Sequence, residues 1–420
     1  MHTLHLDENP HTRLLNYEYA RLKQDDVCSK GHSFKRYPKK MPMSRIRNGY
    51  ASHPREQHNA PPMYITMPSP NNKQKFTLGS DTMSETSHKP LTASEIGCLW
   101  LTYISNSMLR CVYIYGLQHN KDEDIHPLLQ GAYEKTGQDM ETIRTIFEAE
   151  NIPIPVGFTE QDVNTKANAL FDDTFFLDYL NKVGKISNTQ YATFQSISTR
   201  SDIRAFFVQC LLSASRLYDQ TTETMLEKGL LIRPPHISPP QQVDFVDRKQ
   251  YKHGFSLVSD KRPLNVIEIS HLYTNVETNL LGIMICTGFG QTAKSQKVRN
   301  YMLRGKDIAK KHVQLFGEKL VNSDIQAPMT WDAAVRQSTD PPFSDKLMMF
   351  HINVLIQASI GRYGVAAGSS IRNDLAGMYT RLSAEIAAYA EDGAEILIEN
   401  EWLEEPPRAA DRDKIIKKKS

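Results

Sequence analysis

Two stretches of this chain repeat each other, and that repetition restricts the available folds more than any other feature. "LTASEIGCLW" (Leu91–Trp100) matches "LNVIEISHLY" (Leu264–Tyr273) at an offset of 173, and Pro155 matches Pro328 at the same offset. "FDDTFFLDYL" (Phe171–Leu180) matches "FSDKLMMFHI" (Phe343–Ile352) at 172, as do Asp202 with Asp374 and Pro234-Pro235 with Pro406-Pro407. One residue has been lost between Pro155 and Phe171. A single length change over so long a stretch marks a tandem duplication, so the fold must be one that each copy can adopt.

Each copy reads as four helices. The first opens with a capping box, Thr92-x-x-Glu95 in one copy and Asn265-x-x-Glu268 in the other, with a flanking Leu and Ile as hydrophobic staple. Helical spacing then predicts second helices over 125–150 and 294–321 and third helices over 172–198 and 344–362. The fourth helices are predicted over 202–228 and 374–400, each followed by a double proline.

The connection between helices two and three is long. It spans about 20 residues, against roughly 2–8 for an ordinary helix–helix link. A helix of this size is roughly 40 Å long, and 20 extended residues reach at most about 66–72 Å. The segment can therefore run the length of the bundle and start helix three at the far end. "ENIPIPVGFTEQDV" (Glu150–Val163) and "SDIQAPMTWDAAV" (Ser323–Val335) read as such crossover straps, anchored by Phe158 and Trp331. One long crossover between helices two and three is the ferritin-like arrangement.

The predicted fold class is thus all-α, with two tandem ferritin-like four-helix bundles and a disordered N-terminal segment. The expected boundaries are 1–90 for that segment, 91–232 for bundle one, 233–263 for a Pro-rich linker, 264–403 for bundle two and 404–420 for a polar tail. Phe245, Tyr251 and Phe255 are the residues that could pin the linker.

Composition adds exclusions. Hydrophobic content of 40% with 23% charged residues is that of an ordinary globular protein. A net charge of +2 points neither to nucleic acid nor to a membrane surface. The charge is uneven: residues 1–82 hold 13 Lys+Arg against 7 Asp+Glu, and the rest 37 against 41. The early segment also holds 6 of the 14 histidines and shows no sustained apolar period. It is expected to be either a disordered tail or a region upstream of a native start at Met83. The basic runs "KRYPKK" and "KIIKKKS" read as solvated ends.

No apolar signal core opens the chain. The most apolar long stretch contains His351, Asn353, Gln357 and Arg362, and so reads as a buried helix and not a membrane span. A cytoplasmic protein is expected. The five cysteines, Cys28, Cys98, Cys111, Cys210 and Cys286, follow no short spacing and read as free thiols, four of them in apolar surroundings.

Ferritin-like bundles often hold two metal ions on inward Glu residues and Glu-x-x-His pairs. Two such pairs occur here. Glu123-x-x-His126 precedes Pro127 and reads as the acidic start of helix two, while Glu268-x-x-His271 lies in a capping box. The remaining metal candidates are His312, His351 and Glu385, matched in the first copy by Asp139, Tyr179 and Ser213. If helices two and three run parallel, His312 and His351 lie about 16 Å apart along the axis, too far for one ion. Satisfied core histidines are the expected reading. Gly288-x-Gly290 lacks the strand-to-helix setting of a phosphate loop. No catalytic or cofactor-binding residue is singled out, and no cofactor is expected.

Several motifs in order, "IPIPVGFTEQDV", "SDIRAFF", "KGLLIRPP", "GKDIAKKH", "MTWDAAV", "PFSDKLMMFH" and "YAEDGAEI" among them, resemble an uncharacterised family of spore-forming bacteria. Some of its members are labelled spore coat proteins. The resemblance spans residues 89–411 and implies two ferritin-like bundles in tandem, with no activity to carry over. The expected function is that of a non-catalytic helical-bundle protein associated with sporulation or the spore coat, acting by packing and protein–protein contacts or self-association. The alternative is a ferritin-like metal-binding or di-metal oxidase-type protein.

Overall fold

The computed structural model describes residues 89–246, 249–252, 262–328 and 334–417. Expectations for residues 1–82, Cys28, Phe255 and Trp331 lie outside these. Eight long helices are described: α1 (Ala93–His119), α2 (His126–Ala149), α3 (Asp173–Ile197), α4 (Ser201–Glu227), α5 (Val266–Thr292), α6 (Gln296–Val321), α7 (Asp345–Ser369) and α8 (Asn373–Glu399). A short exposed helix, α9 (Arg412–Lys417), lies in the expected polar tail. The regular secondary structure among these residues is helical apart from two isolated β-bridges. No helix in it is long and apolar enough to cross a membrane.

Both capping boxes form. The Thr92 hydroxyl accepts from the Glu95 amide at 3.3 Å, and the Glu95 carboxylate accepts from the Thr92 amide at 2.7 Å. Asn265 and Glu268 repeat the exchange at 2.9 and 3.1 Å. α7 outlasts its expected end at Arg362 by two turns. It continues through Gly364 and Gly368 because Tyr363 and Ala366, both buried, hold the last turns against the core.

Contacts at the helix ends give the topology. Glu95, at the start of α1, reaches the amides of Thr199 and Arg200 in the α3–α4 turn, each at 2.7 Å. Gly116, near the end of α1, packs on the ring of Phe176, near the start of α3. α1 and α3 are therefore antiparallel. The Lys121 amide, before α2, donates to Asp173 at the start of α3, and Lys228, after α4, pairs with Asp122 at 2.9 Å. Helices α2 and α3 are thus parallel. The second bundle repeats this: the Ser295 amide donates to Asp345 at 2.7 Å, Arg372 N–H to Glu268 at 3.2 Å, and Lys297 pairs with Glu399. A long crossover joins parallel second and third helices in each copy, as expected.

The crossovers do more than span. They pair with each other, antiparallel, through bridges Val163↔Phe343 and Phe171↔Val335. The amides of Asn164 and Ser344 donate to the carbonyls of Pro342 and Asp162 at 2.7 and 3.0 Å. Those of Arg336 and Asp172 donate to Leu170 and Ala334 at 2.8 and 3.1 Å. At the offset of 172 the second set is the image of the first, so a local two-fold axis relates the bundles. This register places the lost residue between Pro155 and Asp162. Phe158 is buried and packs on Phe350 at 5.2 Å between ring centres. The strap is also fastened by Glu404, which accepts from the Val156 and Gly157 amides at 2.8 and 2.7 Å. The described residues accordingly form one compact unit.

The linker is held less than expected. Phe245 is 91% exposed and pins nothing, whereas Tyr251 lies under the Arg262 guanidinium at 4.0 Å.

Candidate functional site

In the second bundle, His312 and Glu385 meet and His351 does not join them. The His312 ring is fully buried on α6, with Nδ1 at 2.9 Å from the Tyr363 hydroxyl and Nε2 at 3.2 Å from Glu385. Tyr363 accepts from Asn279 Nδ2 at 2.8 Å, so its own proton goes to Nδ1 and the imidazole N–H faces the carboxylate. Glu385 also accepts from Lys311 at 2.7 and 2.9 Å. Burial lowers the His312 pKa against the opposing pull of Glu385; burial raises that of Glu385, but Lys311 and His312 bring it below the ordinary value. The result is a neutral imidazole at the centre of a polar chain that ties α5, α6, α7 and α8 together.

His351 faces the other bundle. Its Nε2 lies 3.1 Å from the hydroxyl of Tyr179, its own counterpart across the two-fold axis. Burial alone holds its pKa down at about 3.

The equivalent positions in the first bundle differ. Asp139 pairs with Lys135 and is hydrogen-bonded to the Cys210 thiol; burial outweighs both and raises the carboxyl pKa. Tyr179 is spent on His351, and Ser213 is half-buried at the edge of a cavity. A dinuclear site on carboxylates and histidines needs several inward donors from facing helices. His312 and Glu385 are two, both hydrogen-bonded, and the first bundle offers one carboxylate. The residues present do not fit such a centre. Among the described residues no group of three or more His, Cys, Asp or Glu side chains could hold a metal ion.

Of the Glu-x-x-His pairs, only the one with Glu268 has a carboxylate set into the fold; Glu123 and His126 are exposed. Glu268 is buried, accepts from Asn265 and Arg372 amides and is gripped by Arg262 at 2.7 Å. Asp122, not Glu123, accepts from the amides of Asp124 and Ile125, just before α2, at 3.0 and 3.3 Å. Cys98, Cys111, Cys210 and Cys286 are buried free thiols, and burial pushes the pKa of Cys98 up to about 11 and those of Cys111 and Cys286 up to about 12. Gly288 lies inside α5 under the Phe171 ring.

The copies also differ in internal volume. Tyr301 and Tyr389 of the second bundle stack at 4.2 Å between ring centres, each hydroxyl donating to the other's carbonyl at 3.0 Å. Their hydroxyls fill the notches of Gly393 and Gly305, where a Cβ would overlap them. At the matching positions the first bundle has Leu128 and Leu217, with Ala132 and Thr221 in place of the glycines. It opens there into a cavity of about 370 Å³, against about 60 Å³ at the matching place in the second bundle. No motif marks this cavity in the sequence; the one trace of it is that, with the repeats aligned, two tyrosines are replaced by leucines.

A solved structure described as "a putative spore coat protein" from Bacillus halodurans C-125 is 19% identical, aligned over 36% of this chain and 98% of its own, with a TM-score of 0.33. No curated protein sequence matches this one. A family described as "Protein of unknown function (DUF3231)" matches twice, over residues 81–243 and 252–415, which together cover most of the chain. The chain therefore belongs to that family and carries two copies of its domain in tandem.

Proposed function

We propose that this is a non-catalytic helical-bundle protein, made in the cytoplasm and deposited in the spore coat, that works by packing and protein–protein contacts. The observation that carries the reading is how the buried ionisable groups are used. Glu95 and Glu268 hold backbone amides, His312 and Glu385 join four helices, and His351 joins the two bundles. Each is turned to neighbouring protein groups, which suits cohesion better than turnover.

A contact surface is in keeping with it. Val266, Ile267 and Ile371 are 58%, 52% and 45% exposed at one end of the second bundle, where Glu268 joins the α7–α8 turn. The first bundle has Ala93, Ser94 and Thr199 at the matching positions. An apolar end rimmed by polar groups is the kind of surface that marks a protein interface.

The test is to follow the protein through sporulation in its native cells with a fluorescent fusion and to extract coats from mature spores. The expected result is recovery in the coat fraction, and loss of that retention in the V266D/I267D variant without loss of helicity. Protein that stays in the mother-cell cytosol and is absent from coat extracts would overturn the proposal.

A further inference from the structure

The first bundle contains a cavity that its twin has nearly closed, and one buried amide on its wall lacks a partner. Asn106 is 1% exposed, lines the cavity, and its Nδ2 makes no hydrogen bond. Its counterpart Asn279 donates to Asn275 O at 2.7 Å and to Tyr363 at 2.8 Å. A buried donor left unmade costs about 1–3 kcal/mol, so a position satisfied in one copy and open in the other points to an outside acceptor.

The walls define what else the occupant must be. Leu109, Leu128, Val183 and Leu217 are half-buried and make the cavity mainly apolar. At about 370 Å³ it falls within the ~300–1,000 Å³ usual for small-molecule pockets. Of the charged groups on the wall, Lys135 and Asp139 are paired with each other, and Arg216 is exposed, so no unpaired charge is buried there for an ion to meet. The partly exposed leucines, standing where the second bundle has its tyrosine pair, leave the way in between α2 and α4.

We infer that the first bundle binds a small, uncharged, mainly apolar molecule with one oxygen acceptor, its body against the leucines and its oxygen on Asn106 Nδ2. This goes beyond the coat-protein reading and does not depend on it, since the ligand would be held within one bundle whatever the protein packs against.

The probe pair is acetophenone, a ring with one carbonyl, and ethylbenzene, of similar outline without the oxygen. Both are titrated against the full chain and followed by ligand-observed saturation-transfer NMR and by melting temperature. Acetophenone is expected to bind and to raise the melting temperature, with ethylbenzene weaker by about tenfold, the worth of one buried hydrogen bond. Asn106→Leu should erase that preference. Ala214→Ile, which installs the larger residue that the second bundle carries as Ile386, should weaken both probes by about tenfold or more while leaving the fold stable. No saturation transfer at millimolar acetophenone, an unchanged preference in N106L, or full binding in A214I would each overturn the inference. If either variant fails to fold, the wild-type preference for acetophenone over ethylbenzene decides, and its absence refutes the site.

Discussion

At the residue scale, Glu95 does two jobs with one carboxylate. One oxygen closes the cap of α1, and the other accepts the Thr199 and Arg200 amides that open α4. Burial alone would raise its pKa, but the amides of Arg200, Thr92 and Thr199 and the Thr92 hydroxyl together lower it to about 2. A carboxylate depressed in the folded state stabilises fully above its unfolded pKa and loses that contribution as pH falls through the folded value. Glu95→Gln should therefore cost on the order of 3 kcal/mol at neutral pH. The gap to wild type should close between pH 4.5 and about 2. Denaturant titrations across that range measure it, and a gap independent of pH would refute the role. The first half of this arrangement was legible in the sequence, because a capping box is an i,i+3 pattern. The second half, with contacts 104 and 105 residues away, was not. The same holds for His351, whose partner Tyr179 lies 172 residues earlier in another bundle.

At the scale of elements, helix existence and order followed from local patterning, and the crossover followed from chain length and helix length alone. Helix ends were less certain where glycine entered, as in α7, because burial of Tyr363 and Ala366 overrides the weak propensity of Gly364 and Gly368. The pairing of α6 with α8 depends on shape. Each tyrosine hydroxyl occupies the notch of a glycine four residues beyond the other tyrosine, so both glycines are needed together. Gly305→Ala and Gly393→Ala should each cost about 1–3 kcal/mol through overpacking and a displaced hydroxyl. Alanine would be stabilising at an open helical site, which makes the sign of the effect diagnostic. Thermal melts of the two variants give it, and an unchanged or higher melting temperature would mean the rings move aside freely. The first-bundle cavity was hidden from sequence reasoning because a void is a deficit of volume summed over four helices, with no pattern of its own.

At the scale of the whole molecule, the paired crossovers join what the duplication laid end to end. Their hydrogen bonds, the Glu404 clasp and the Tyr179–His351 contact all cross between the halves or lock the strap in place. The two bundles should consequently unfold in a single calorimetric transition. The amides of Asn164, Asp172, Arg336 and Ser344 should exchange together and slowly. Two resolved transitions, or fast exchange at these four positions, would show the halves to be independent. The two-fold relation of these crossovers also bears on descent. An isologous contact, in which each half offers the other the same surface, is the contact of two identical chains. The ladder is thus what an ancestral homodimer would leave behind once a gene fusion had joined its subunits. In such a dimer every mutation enters both subunits at once, so neither can specialise. Fusion would lift that constraint, letting one half acquire a tyrosine plug while its sibling kept an open interior.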